Sequence, residues 1–153
     1  GDRLARRERV RSNLGRRPGQ TGQQLALSRV GRADEHGIDV GPTVYAVVGD
    51  HLGSPIDLVK PKSSTRLQRE RNLEHDPRAT LAIEHWDRDD WSTLWWVRAR
   101  LRWSGHGPHE QTEVLADRLS ELFVQYRDKP FATVHVFEIV SVTGWAAIDR
   151  AEG

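Results

Sequence analysis

A chain of 153 residues, 37% of them hydrophobic, is long enough for one buried core and too short for two independent ones, which excludes a multidomain enzyme. Its 23 Lys and Arg against 22 Asp and Glu leave a formal net charge of +1, so the chain lacks the globally basic character of a general nucleic-acid binder. With no cysteine there is no disulfide, thiolate metal site, iron–sulfur cluster or cysteine nucleophile, and any redox chemistry must come from a bound cofactor.

Residues 1–32 are arginine-rich and nearly without apolar spacing apart from Leu25, Ala26 and Leu27, and read as a basic, partly disordered arm with a weak helix around residues 2–14. A single domain is expected over residues 33–150. The run Asp34-Glu-His-Gly37 is a turn that joins a first strand to a second. Thr43 to Val48 is β-branched and aromatic, and Gly49-Asp50 is a two-residue hairpin signal leading into His51 and Leu52. Pro55 and Pro61 then interrupt pairing, which makes Ser54 to Lys62 a loop.

Ser63, Ser64 and Thr65 offer N-cap oxygens for a short helix that stops before Asp76-Pro77. Ala79–His85 and Leu94–Trp103 read as strands, joined by an acidic turn over Asp87–Ser92. Val114, Leu115, Leu119, Leu122, Phe123 and Tyr126 form one apolar stripe on a helix over 109–127. A last strand runs from Ala132 to about Val140, and Thr143-Gly-Trp145 turns off its end. Five or six mostly antiparallel strands with two or three helices make a small, mainly β (α+β) barrel. No apolar run approaches the roughly 20 residues that span a bilayer, and no signal-peptide pattern is present, so the cytoplasm is the expected address.

The chemistry concentrates between Lys60 and Leu73, where five cations and three hydroxyls surround a loop-to-helix junction with one acid among them. A helix N-terminus presents unpaired N–H groups and partial positive charge, so hydroxyls and guanidiniums placed there suit a phosphate. Thr65 and Arg69 lie four apart with Asn72 one turn further, and Lys62 approaches from the loop. The same residues could instead form a solvated basic helix. Glu84, His85, Asp87, Asp89 and Asp90 are metal-capable types at a turn where charged residues are ordinary, and no metal site is expected. His106 and His109 read as a capping or solvated pair.

In order along the chain, Val44 to Leu52, Lys60-Pro-Lys-Ser-Ser-Thr-Arg-Leu, Arg71-Asn-Leu-Glu-His-Asp-Pro-Arg, Glu84-His-Trp-Asp, Leu94-Trp-Trp-Val-Arg and Thr143-Gly-Trp resemble the pyridoxamine 5′-phosphate oxidase-like split-barrel flavoproteins. Within these the chain looks most like the actinobacterial group of F-420-dependent enzymes. The resemblance implies an antiparallel split β-barrel of the FMN-binding type and a homodimer with cofactors bound between subunits. It implies that Lys60, Lys62, Ser64, Thr65, Arg66 and Arg69 belong to the phosphate-holding segment. By the same likeness Ser54 and Pro55 fall on a strand end beside the ring, Trp96 falls where the oxidases place a polar side chain, and Trp145 approaches the cofactor late in the barrel. Each tryptophan has core or interface packing as its alternative.

Three functions follow as expectations. The first is a reductase using coenzyme F-420, an 8-hydroxy-5-deazaflavin, to pass hydride to a small-molecule acceptor, with no assigned catalytic residue and Tyr45 or His85 as conceivable proton donors. The second is an FMN-dependent oxidoreductase on the same fold. The third is a non-catalytic module that binds a flavin or a polyanion, nucleic acid being the less expected ligand and a membrane not expected.

Overall fold

The computed structural model describes residues 24–28, 39–57 and 65–147. Seven strands form one antiparallel sheet: β1 (Gln24–Ser28), β2 (Asp39–Gly41), β3 (Ala46–Val48), β4 (His51–Asp57), β5 (Arg78–His85), β6 (Trp95–Trp103) and β7 (Phe131–Ala146). Their order is β2-β1-β5-β6-β7-β4-β3. Two helices, α1 (Thr65–His75) and α2 (Thr112–Leu122), lie between β4 and β5 and between β6 and β7.

The connection between β2 and β3 forces the sheet to curl. These two strands are its opposite edges, and laid flat they would stand about 29 Å apart at the usual interstrand spacing. Only Pro42–Tyr45 joins them, and the steps from Gly41 to Ala46 reach about 18 Å at most. The edges must therefore turn toward each other, as in a barrel. β7 binds the two halves: its first part pairs with β4, from Phe131 opposite Asp57 to Glu138 opposite His51. Its second part pairs with β6, from Phe137 opposite Trp103 to Ala146 opposite Trp95.

Strict alternation on β6 fixes what is inside. Trp95, Val97, Ala99, Leu101 and Trp103 are buried, while Trp96, Arg98, Arg100 and Arg102 face out. With Tyr45, Leu52, Leu73, Leu81, Ile83, Phe137 and Ile139 the inward row builds the barrel core. A second core lies outside the barrel, where Leu115, Ala116 and Leu119 of α2 pack on Ala46, Val134 and Val136. β7 is thus buried on both faces around residues 134–137, which is why its alternation gives way to a continuous buried run.

α2 approaches β4 closely because Gly53 has no side chain. A Cβ there would stand 2.9 Å from the Leu115 Cβ and 3.1 Å from Val134 Cγ1, both poorly able to move. Gly53→Ala is accordingly expected to destabilise the fold by about 1–3 kcal/mol through overpacking, read as a lower urea midpoint with unchanged slope.

Several expectations change. The stretch Ser54–Asp57 is strand rather than loop, since β7 pairs with it throughout. Pro55 is tolerated because β3 pairs only as far as Gly53, leaving β4 an edge strand beyond it. Thr143-Gly-Trp145 does not turn away but continues β7 against β6. Gln24–Ser28, read as part of the arm, is strand β1 in the sheet, and the count of strands is seven. The strand expected over Thr43–Val48 begins only at Ala46, and α2 is shorter than expected: Phe123 takes an extended conformation and a single 3-10 turn, Val124–Tyr126, follows. The weak helix expected over residues 2–14 and the turn at Asp34–Gly37 lie outside the described residues. The hairpin at Gly49-Asp50 is present, with Gly49 at the positive φ of 59° that the first position of a II′ turn requires. No helix among the described residues is long and apolar enough to cross a membrane.

Candidate functional site

α1 closes one end of the barrel. Its exit is fixed by Trp103, whose N–H donates to Pro77 O at 2.7 Å, and by Asp76, which takes three hydrogen bonds from the Arg78 side chain and one from its backbone N–H. Leu73 drops into the core, 2% exposed. Beside it Asn72 is buried, accepting from Gln68 Nε2 at 2.8 Å and donating to Asp39 Oδ2 of β2 at 3.2 Å. Asn72 therefore spends its polar atoms on tying α1 to β2, and is not free for the anion that its spacing suggested.

Arg69, one turn earlier, lies against the same strand: its Nη2 would be 3.5 Å from a Cβ at Gly41. Burial pulls its guanidinium below the ordinary arginine value, and the charge of Asp39 acts in the opposite direction. No carboxylate among the described residues forms an ion pair with it. A desolvated guanidinium without a carboxylate in contact has unmet demand for an anion.

Thr65 and Arg66 occupy the first turn of α1. Lys60, Lys62 and Ser64 lie outside the described residues. Ser54 is 7% exposed, with its hydroxyl 2.7 Å from that of Thr43, and its Cα faces His135 on β7. Ser54 thus belongs to the same end of the barrel as α1. Pro55 alternates to the other face, opposite Val134 of the α2 core, and does not join Arg69.

The two tryptophans form a separate place. Trp96 and Trp145 are direct cross-strand neighbours on the outer face of β6 and β7, 36% and 49% exposed. Arg98 lies over the Trp96 ring with Cζ 5.4 Å from its centroid. Arg100 and Arg102 continue the row, and none of the three arginines makes an ion pair among the described residues. Arg98 and Arg100 have the uncharged cross-strand neighbours Ala82, Thr143, Thr80 and Ser141, whereas Arg102 stands opposite Arg78 on β5 and Glu138 on β7. Along β6 the Trp96 end lies about 20 Å from the end covered by α1, at the usual rise per residue. Within one chain the expected residues therefore divide into two groups.

The two conceivable proton donors differ in setting. Tyr45 is 3% exposed in the core, and burial pushes its hydroxyl well above the ordinary phenol value. His85 stacks on Trp95 with centroids 6.0 Å apart, at the end of the barrel away from α1, and its buried Nδ1 has no partner among the described residues. The acids of the Asp87–Ser92 turn are engaged locally: Asp87 accepts from Asp89 N, and Asp90 accepts from Ser92 N and Oγ, which holds its carboxyl below the ordinary range. Among the described residues no three metal-capable side chains converge. His109 caps locally, its Nδ1 accepting from Gln111 N at 3.0 Å.

The sequence reading missed His135, 5% exposed, whose Nε2 lies 3.2 Å from Glu70 Oε1 on α1. Its signal was present: an imidazole on the inward row Thr133, His135, Phe137, Ile139 of the last strand. Trp103 was read only as strand. Its ring sits edge-on to His135 and His106, and its buried indole Nε1–H, unlike its backbone N–H, has no acceptor among the described residues.

No protein-family profile matches the chain, and no curated protein matches its sequence. Solved structures do match in fold. An FMN-binding protein from Syntrophomonas wolfei is similar with a TM-score of 0.57 at 16% identity, over 92% of this chain and 84% of the other. A FAD-binding protein from Mesorhizobium loti gives 0.54 at 15% identity, over 80% and 83%. A heme storage protein from Vibrio cholerae gives 0.58 at 14% identity, over 92% and 94%. The fold is the mainly β, antiparallel split barrel, and proteins described as binding flavins or heme share it.

Proposed function

We propose that this chain is a flavin- or deazaflavin-binding oxidoreductase, an F-420-dependent reductase in the first place, that passes hydride to a small organic acceptor as a homodimer. The observation that carries this reading is Arg69: a desolvated guanidinium that feels the charge of Asp39 but forms no ion pair with a carboxylate among the described residues, on the helix that Thr65 and Arg66 open. Its demand is for a phosphate, and a helix N-terminus favours the same kind of ligand. The flavin-binding proteins that share the fold support a flavin as the phosphate's owner.

The residues present fit such a group. Arg69, Thr65 and Arg66, joined by Lys60, Lys62 and Ser64 from the preceding segment, would hold the phosphate, and Ser54 would lie near the ring. The cofactor supplies the hydride chemistry; the protein binds it, orients it and excludes water. Trp96 and Trp145 face outward from β6 and β7, whereas Arg69 lies against β2, three strands from β6 in the sheet, so a second copy would bring its tryptophan face to the first copy's α1 end. Arg98 and Arg100, exposed and without an ion pair among the described residues, favour a cofactor carrying an extended anionic tail, as F-420 does, over FMN as the alternative.

Subunit complementation tests the shared site. Arg69→Ala and the double variant Trp96→Ala/Trp145→Ala should each bind flavin weakly, the latter by about tenfold, in line with the roughly 1–3 kcal/mol that ring stacking contributes per base in single-stranded nucleic-acid complexes. Co-expressed and purified as a hybrid dimer, they should regain one tight site per dimer. Hybrids that bind no better than their parents would contradict a site built across two copies. If FMN and F-420 both bind without any hydride transfer, the protein is the non-catalytic module instead.

A further inference from the structure

Two carboxylate–imidazole pairs fasten α1 over the barrel end. Glu70 Oε1 stands 3.2 Å from His135 Nε2 on β7, and Glu74 Oε1 stands 2.6 Å from His106 Nε2 on the loop after β6. Glu70 and Glu74 are four apart and so share one face of the helix. Trp103 sits between the imidazoles, with ring centroids 4.8 Å from His106 and 5.8 Å from His135. The two pairs differ in burial: the His106 side chain is 61% exposed, the His135 side chain only 5%. A proton added at His106 meets water, whereas one added at His135 enters the protein interior.

We propose that the His135–Glu70 pair is a proton-operated latch that holds α1 and Arg69 in register for an anionic ligand, so that acidification loosens the helix and releases the ligand. His135 is then a positioning residue, acting through its pair with Glu70, the neighbour of Arg69 in the chain. The ligand half of this inference rests on the anion reading of Arg69 above; the latch itself rests on the geometry of the pair.

The charges around His135 set the direction. Burial is the strongest influence and lowers the pKa of its imidazole; Glu70 raises it, by hydrogen bond and by charge, while Arg69 and His106 lower it. Asp39 acts on Arg69 from β2, and Glu74 engages His106. Neutral His135 can donate from Nε2 to the Glu70 carboxylate, the tautomer assigned from this contact. A histidine whose folded pKa is lowered contributes stability that is complete above its ordinary value near 6.5 and lost as pH falls through the lowered one. The latch is closed at neutral pH and opens in acid.

FMN is the probe. Its dissociation constant is measured by absorbance titration from pH 8 to pH 5 for the wild type and for His135→Gln, whose amide can still donate to Glu70 but does not titrate. Ionisation of the FMN phosphate is common to both, so the ratio of their affinities isolates the latch. That ratio should be flat above pH 6.5 and fall at least tenfold against the wild type below it; parallel profiles would overturn the proposal. Amide hydrogen exchange along α1, corrected for intrinsic rates and recorded without ligand, reads the latch independently. Protection should fall in acid in the wild type and not in His135→Gln, and equal pH dependence in the two would also overturn it. Absence of FMN binding with the exchange difference intact would discard the anion reading and keep the latch. If His135→Gln does not fold, Glu70→Gln takes its place: removing the carboxylate lowers the folded pKa of His135 further, so the loss of protection should begin at the same pH but continue to lower pH than in the wild type, and a loss that ends at the wild-type pH would overturn the proposal.

Discussion

Arg69→Ala should weaken FMN binding by about 10- to 100-fold, and the double variant Arg69→Ala/Lys62→Ala by more. One lost charge-assisted contact to phosphate is worth roughly 1.5–3 kcal/mol, and each 1.4 kcal/mol is a factor of ten in affinity. The effect belongs to this arginine rather than to positive charge in general. Arg71, two residues on, is exposed, whereas Arg69 is half-buried against β2 and already desolvated before a ligand arrives. Arg69→Lys should recover part of the loss, because it keeps the charge and loses the planar pair of donors. The check is a titration at constant ionic strength, with circular dichroism confirming that α1 and the sheet persist. An unchanged dissociation constant in Arg69→Ala would move the anion site away from α1.

Leu119→Ala should have the largest effect on stability, about 3–4 kcal/mol within the 2–5 kcal/mol that emptying a buried leucine site costs. Leu119 and Leu115 are fully buried on the face of α2 that covers β3, β4 and β7 outside the barrel. α2 contributes its apolar stripe to this second core alone, so the cavity left by Leu119 has few neighbours able to close it. Denaturant unfolding should show a lowered midpoint. Under conditions where the variant is folded, FMN affinity should be unchanged, since α2 packs on the strand face opposite to the one that His135 and Ser54 share with the α1 end.

The legibility of the fold varied with how local its causes are. β6 was readable because an inside and an outside face alternate without interruption from Trp95 to Trp103. α1 was readable from its hydroxyl-rich start and the Asp76-Pro77 stop, and the β3–β4 turn from Gly49. β4 was misread because Pro55 signals a break, and only the sheet order reveals that its outer edge is unpaired there. The second half of β7 was misread for a similar reason: Gly144 suggests a turn, while the long partner strand β6 holds it extended.

The arrangement of the candidate residues was not legible in the sequence. Spacing on α1 suggested Arg69 and its neighbours as an anion-binding set, with a solvated basic helix as the alternative. It could not show that Asn72 is committed to Asp39, or that Trp96 and Trp145 face outward from β6 and β7 while Arg69 lies against β2. These facts depend on partners more than thirty residues away in sequence or on which end of a strand meets a helix. His135 became significant only when α1 was seen to place Glu70 against it. The tryptophan pair, read singly, was ambiguous between a ligand contact and core or interface packing; its exposure on the outer face removes the core alternative for both residues and leaves interface packing.

The central claim is that the α1 end of the barrel binds a phosphate-bearing flavin or deazaflavin. Parallel absorbance titrations of the purified protein with FMN and with coenzyme F-420, with heme as a third arm, test it most directly. The account predicts saturable binding of F-420, tighter than that of FMN, and loss of both in Arg69→Ala. Binding of neither, or binding of heme alone with Arg69→Ala indistinguishable from wild type, would contradict it.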